Sequence, residues 1–453
     1  MGRNDRTLKR NGTAWNMATR SSKSIKASKA PEKERPNFLP HRLIHEITLR
    51  NFLSYPVQPT VVELGNLNIL VGPNGSGKSN FLEAIALLQA APVDFQPMIS
   101  SGGGIAAWIN DPKADYFVEH HPMSIAHPSK RKAMQGPGRN GFDIQVKVNG
   151  WKGTLPYTHC FGLEPEGMGF RVVDELISDR DPRHIQQYVL FESYPDGRGE
   201  IRLGGERTMM KKEHLKEQRS ILAQRRDPLN LPEITDLADT YSKIAMYRDW
   251  HFGGGNPMRK AQATDLRGDV LDEGLGNMNI FLNRRFGLDQ QAKDELVAVL
   301  RKVYDEFQGF ELIADHNTMS LFFREQGRTK PTLPARLSDG SLRFLMLAAV
   351  LLDPTPPPLI CIDEPEIGLH PDLIVTLAQM LTRASERTQV IVTTHSPILL
   401  DAFSTRPEVV LVVEKENGKS TIRRLDEKKL AHRLKNYGLG NVWLRGGIGG
   451  TRW

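Results

Sequence analysis

The sequence predicts an α/β fold in which a mixed sheet is flanked by helices, and three observations carry that prediction. Asn66 to Val71 is a continuous apolar run, followed by a glycine-rich loop and then by Phe81, Ile85 and Leu88 at helical spacing, which reads as strand, loop, helix. Near the other end the chain alternates: a helix over 341–352, a strand over 359–362, a helix over 372–385, a strand over 389–393, a short helix over 397–402 and a strand over 409–414. Alternation of this kind builds a parallel sheet. Between these regions the periodicity changes to short alternating segments at 142–148, 151–161, 188–192 and 200–203, with Asn149-Gly150 placed as a hairpin turn, so antiparallel strands are expected there.

Each remaining element follows from its local pattern. Leu43, Ile44, Ile47 and Leu49, with Val61, Val62 and Leu64, give the first β segments, so folded structure begins at about His41. Residues 98–140 hold Gly102-Gly103-Gly104, several prolines and Lys130-Arg131-Lys132, and read as loops. Helices are expected over 208–226, where Lys and Arg dominate, and over 233–248, 270–286 and 291–307, with a strand over 318–324. The resulting organisation is a basic arm over 1–40, a discontinuous head formed by 41–91 and 335–425, a large α+β insertion over 92–334, and a glycine-rich closing segment over 426–453.

Composition narrows the class. Hydrophobic residues make up 39% and charged residues 25% of 453. The longest apolar stretch, 344–352, is far shorter than the ~20 residues a membrane span needs, so a soluble chain without a membrane partner is expected. Two cysteines, Cys160 and Cys361, cannot build a disulfide framework or a four-cysteine zinc site, and the N-terminus lacks an apolar leader, which points to a reducing cytoplasm. Residues 1–40 carry ten Lys/Arg against three acids, which accounts for the whole net charge of +7 and leaves fifty of each sign in 41–453. A basic nucleic-acid face in the folded part would have to come from local clustering, whereas the arm reads as a solvated tail or a non-specific phosphate binder.

The chemistry concentrates in two places. Gly72-Pro73-Asn74-Gly75-Ser76-Gly77-Lys78-Ser79, followed by Asn80, matches G-x-x-x-x-G-K-[ST] between an apolar strand and a helix. Backbone N–H groups of such a loop close around phosphates, Lys78 reaches the β- and γ-phosphates, and the Ser79 hydroxyl ligates Mg²⁺, so ATP and Mg²⁺ are the expected ligands. The strand over 359–362 ends in Asp363 and Glu364. Asp363 is placed to hold the Mg²⁺ shell, and Glu364 to orient and deprotonate the attacking water. Cys361 reads as a small core residue and His370 as either a helix-start residue or a chemical one.

Three further motifs stand in a fixed order. Leu337-Ser338-Asp339-Gly340-Ser341-Leu342-Arg343 resembles the signature motif of ABC-type ATPases, with Asp339 in place of its first glycine. Pro365-Glu366-Ile367-Gly368-Leu369-His370-Pro371 resembles their dimer-contact loop, and Thr394-His395-Ser396-Pro397 their switch-histidine loop. Together with Asn51-Phe52-Leu53-Ser54, which resembles an adenine-side segment, these motifs make the chain similar to the RecF/SMC-like branch of ABC-type P-loop ATPases. Within that branch it resembles the stand-alone AAA-type ATPases related to DNA-repair and phage-defence proteins. The resemblance covers about 41–91 and 335–450. It implies a P-loop NTPase fold of ABC-head type and a homodimer or higher oligomer with ATP at the interface, in which Ser338 and Gly340 of one subunit meet the nucleotide held by Lys78 of the other. It also implies His395 as a catalytic residue, the switch histidine. For the glutamine loop the candidates are Gln89, Gln145, Gln186 and Gln187, and the segment 438–450 carries no role that its residues reveal.

The separation of the P-loop from the signature exceeds what a transporter's nucleotide-binding subunit carries, and the insertion has no heptads of a chromosome clamp. Too few residues follow Glu414 for a metal-binding Toprim nuclease domain, so any nuclease or toxin effector is expected to be a separate chain. Two readings survive: an ATP-hydrolysing head acting in DNA processing or phage defence, and a nucleotide-gated scaffold that restrains or releases a toxic effector without acting on DNA.

Overall fold

The computed structural model describes residues 42–113, 140–149, 157–178, 189–194, 197–203, 206–248 and 250–450. The basic arm, Lys130-Arg131-Lys132, Gly150 of the expected hairpin turn, residues 151–156 of the expected strand, and Gln186 and Gln187 lie outside the described residues.

Among the described residues two large sheets and one small one organise the fold. The first has six strands in the order Ala245–Tyr247, Leu359–Ile362, Gln389–Thr394, Leu67–Val71, Val410–Glu416 and Lys419–Arg424. Its first five strands run parallel and the last antiparallel. Every residue of the three central strands is buried. Because successive side chains alternate between faces, Ile69, Ile360, Val392 and Val412 enter one core, while Leu70, Cys361, Ile391 and Leu411 enter another. That explains the continuous apolar runs: a parallel sheet is covered on both sides. Burial of each such side chain contributes roughly 1.5–3 kcal/mol.

The second sheet has eight strands, all antiparallel to their neighbours: Thr60–Glu63, Ile44–Arg50, Phe142–Val148, Tyr157–Glu166, Gly169–Ser178, Val189–Ser193, Gly199–Leu203 and Glu206–Met210. The helix Lys78–Ala90 lies in the core that this sheet shares with the parallel one, through Phe81, Leu82, Ile85, Leu87 and Leu88. On the opposite face pack the helices Met278–Phe286, Asp339–Leu351 and Pro371–Ala384. A small sheet of Gln262–Ala263, Thr318–Glu325 and Phe307–Asp315 joins that side. The fold is therefore a P-loop NTPase fold with mixed α/β sheets flanked by helices. Cys361 is fully buried, which pushes its thiol up, as a core residue requires.

Several expected elements are corrected. The basic helix over 208–226 is instead the edge strand Glu206–Met210, a 3₁₀ turn at Lys212–His214 and the short helix Ile221–Gln224. Its apolar residues are too few for a helical stripe, and the chain is held by pairing of Thr208 with Ile201 and by burial of Ile221 and Leu222. The helix expected over 233–248 stops at Tyr241, and Ala245–Tyr247 becomes the sheet's edge strand because pairing with Ile360 to Ile362 outweighs continuing the helix. Helix 270–286 begins only at Met278, helix 291–307 ends at Leu300, and Phe307 opens a strand. Within 98–113, expected as loop, lie the end of the helix Gln96–Ser101 and the 3₁₀ turn Ile105–Trp108. The closing segment holds the helices Glu427–Leu434 and Leu439–Leu444.

Candidate nucleotide site

Parallel strands deliver their loops to one edge of a sheet, and the chemistry collects there. Gly72 follows Leu67–Val71, Asp363 follows Leu359–Ile362, and His395 follows Gln389–Thr394, so all three leave from the C-terminal ends of adjacent strands.

The loop starts at Gly72, where a Cβ would collide with the Val413 carbonyl oxygen, and turns into the helix at Gly77, whose φ of 114° only glycine adopts readily. Pro73, Asn74 and Gly75 form the accessible tip, whereas Ser76 and Lys78 are buried. Ser79 is exposed on the first turn of the helix, which carries no acid to neutralise its N-terminal dipole. Asn80 donates to Ser54 Oγ at 2.8 Å. Lys78 Nζ donates to the carbonyl oxygens of Gly72 at 2.8 Å and Pro73 at 3.1 Å. Burial lowers its pKa to about 8, although Glu364, Asp363 and Glu366 pull the other way.

The carboxylates owe their geometry to the strand end. Glu364 has a φ of 46°, a left-handed backbone that turns the chain out of the pleat immediately after Asp363. Its N–H donates to Thr393 at both the carbonyl oxygen (3.2 Å) and Oγ1 (3.1 Å), and Thr393 Oγ1 in turn donates to Asp363. His395 Nε2 lies 3.0 Å from Glu364 Oε1. Burial, with Asp363 and Glu366 nearby, raises the Glu364 pKa above that of an ordinary glutamate, making it a better proton acceptor. Glu366 accepts from Thr394 Oγ1 at 2.6 Å and from the His395 N–H at 2.9 Å, fixing the histidine's backbone.

The P-loop and its surroundings fit a polyphosphate with a divalent cation. Among the described residues the buried Ser76 hydroxyl has no hydrogen-bond partner, the Lys78 ammonium is partly desolvated, and carboxylates stand opposite it. An accessible loop of backbone donors with a buried cation on one side and acidic oxygens on the other is the donor set such a ligand needs.

A family model described as "AAA domain, putative AbiEii toxin, Type IV TA system" matches residues 67–119 and 227–401, half of the chain, including every motif just described. The chain belongs to this family. Comparison with curated proteins gives no match. Among solved structures, the chain is similar to an Smc head bound to the C-winged helix domain of ScpA, at 16% identity over 85% of this chain and 99% of that one, with a TM-score of 0.48. It is also similar to the Smc head with an extended coiled coil bound to the C-terminal domain of ScpA from Pyrococcus furiosus (13%, 87% and 98%, 0.47) and to the SMC head domain from Thermotoga maritima (15%, 85% and 99%, 0.40).

The residues expected to form the signature motif open the helix Asp339–Leu351, and their Arg343 bonds the Ile367 carbonyl of the loop after Glu364. Ser338 is exposed and caps the helix Asp339–Leu351, and among the described residues its hydroxyl bonds only Ser341. Gly340 faces Gly368 of the loop after Glu364, whose carbonyl oxygen would lie 3.0 Å from an added Cβ. His370 occupies the N-cap of Pro371–Ala384, the helix-start reading. Of the glutamine candidates, Gln89 donates to the Ile244 carbonyl at 2.6 Å and Gln145 lies in a strand opposite Thr48 and Cys160.

Sequence reasoning missed the residues that brace the P-loop from outside. Ser420 Oγ donates to Ser54 Oγ at 2.7 Å, its N–H donates to the Ser54 carbonyl at 2.8 Å, and Tyr55 OH donates to the Gly77 carbonyl at 2.9 Å. The Asn51-Phe52-Leu53-Ser54 segment thereby abuts the end of the loop, with Asn51 and Leu53 at φ of 54° and 50°. Among the described residues no helix is long and apolar enough to cross a membrane.

Proposed function

We propose that the chain is an ATPase that binds ATP and Mg²⁺ at the P-loop, dimerises on ATP through Ser338 and Gly340, and couples hydrolysis to DNA processing or phage defence in the cytoplasm with a separate effector. The observation that carries this reading is the Glu364–His395 contact of 3.0 Å at the same sheet edge as Lys78. In this mechanism the backbone N–H groups of Asn74 to Ser79 hold the phosphates and Lys78 places its charge on the β- and γ-phosphates. Mg²⁺, bound through Ser79 and Asp363, supplies charge neutralisation there. Glu364 orients a water and takes its proton at a carboxylate oxygen as the water oxygen bonds the γ-phosphorus and the bond to the bridging oxygen breaks. His395 holds the Glu364 carboxylate in place, and Thr393 holds Asp363. Two buried free thiols, Cys160 and Cys361, suit a reducing compartment.

Lys78 gives this site a pH signature. Its ammonium is lost as pH passes about 8 in the free protein, whereas phosphate binding requires the charge. ATP affinity should be flat below neutrality and then fall by up to about tenfold per pH unit above 8. Titration of Kd with a fluorescent nucleotide between pH 6.5 and 9.5 checks this, and a flat profile would remove Lys78 from the phosphates. For the fold without nucleotide the sign reverses: a lowered lysine pKa means stability rises between about 8 and 10.5 as the buried charge is relieved.

A second reading is a nucleotide-gated scaffold that restrains or releases a toxic effector without acting on DNA, and the toxin–antitoxin context named in the family description is compatible with it. Turnover separates the two. A DNA-acting head is stimulated by duplex DNA in a salt-dependent way, and a scaffold is indifferent to it. Deleting residues 1–35 should leave ATPase rate and Tm nearly unchanged while lowering the salt slope of DNA binding by about 0.9 for each phosphate that the arm had neutralised. An unchanged slope would make the arm a solvated tail.

A further inference from the structure

We propose that Arg259 is the positioning residue of the signature loop, holding Ser338 where a second copy's nucleotide must meet it. The inference rests on the dimer reading above and deepens it.

Arg259 closes the 3₁₀ turn Pro257–Arg259, and that turn is anchored at both ends. Asn256 caps it by accepting from the Met258 N–H, and Met258 is fully buried. The Arg259 side chain is only 9% exposed although it lies beneath a surface loop. Its guanidinium spends its donors on two segments, Phe252 and the stretch 334–339. Nε donates to the Phe252 carbonyl at 3.2 Å, Nη1 donates to the carbonyls of Pro334 and Leu337, each at 2.9 Å, and Nη2 donates to the Asp339 carboxylate. Leu337 and Asp339 flank Ser338 on either side. Among the described residues the serine at the centre of this clamp has no tether outside its own helix turn, since its hydroxyl bonds only Ser341.

The clamp accounts for Asp339 where the signature motif carries glycine. An acid at the first helical position is stabilised by the helix dipole, and here it also supplies the anion that orients the Arg259 fork. A planar fork can serve two carbonyls and a carboxylate together, whereas a lysine offers one point charge. The clamp contains no residue of the P-loop, so its loss should leave each subunit's own nucleotide binding alone and fail only at the contact with the partner.

The test uses full-length protein in the slow-hydrolysing Glu364→Gln background, comparing the parent with R259A and R259K by ATP Kd and by ATP-dependent dimerisation. The expected result is an ATP Kd within twofold of the parent in both variants and a dimer dissociation constant raised on the order of 10²-fold in both, as loss of charge-assisted hydrogen bonds predicts. Dimerisation of R259A at the parent's concentration overturns the role of Arg259. Parallel loss of ATP binding and dimerisation in both variants also overturns it, because Arg259 would then be a prop for the whole fold. A parent that stays monomeric with ATP overturns the dimer reading itself, and the role of Arg259 with it.

Discussion

Glu364→Gln should bind ATP as the native chain does and hydrolyse it about 10²–10⁴-fold more slowly, the usual size of a lost general base. Glu364 stands at the strand end with its N–H held twice by Thr393, so the isosteric amide keeps the left-handed turn and the backbone bonds. What disappears is a carboxylate whose pKa is raised by burial and by Asp363 and Glu366, the property that suits it to accept a proton. His395 can still reach the amide oxygen from 3.0 Å. Single-turnover rates with saturating ATP and Mg²⁺ measure the effect, and a variant that hydrolyses within tenfold of the native rate would move the base elsewhere.

Lys78→Ala should lose productive ATP binding while the fold stays intact. The lysine's ammonium bonds two carbonyls of its own loop and faces three carboxylates. Without it the β- and γ-phosphates would meet Asp363, Glu364 and Glu366 with no cation from the chain between them. A buried charge is also removed, so Tm should hold or rise slightly. Equilibrium nucleotide binding and thermal unfolding on the same sample check both halves, and retained turnover would rule out the site assignment.

What was legible in the sequence was local. The strands that end before Gly72, Asp363 and His395 are contiguous and fully buried, so pattern and structure agree. What escaped was set by tertiary partners. Ala245–Tyr247 has three residues, continues an apolar helical spacing from Tyr241, and becomes a strand only because Leu359–Ile362 offers it an edge. Glu206–Met210 has one buried residue in five and pairs on one side only, so it carries no apolar alternation. At the site, Asp363, Glu364 and Lys78 could be named from motifs. Ser420 could not be attached to Ser54, nor Arg259 to an aspartate 80 residues away, since nothing in their neighbourhoods signals those bonds.

In the proposed mechanism two chains share the nucleotide, with Ser338 of one completing the site of the other. The mass of Glu364→Gln by light scattering, at micromolar protein with saturating ATP and Mg²⁺, puts that sharing to the test. A dimer should form with ATP, dissociate without it, and be abolished by adding Ser338→Arg to the same chain. A Glu364→Gln protein that binds ATP yet stays monomeric would refute the shared site.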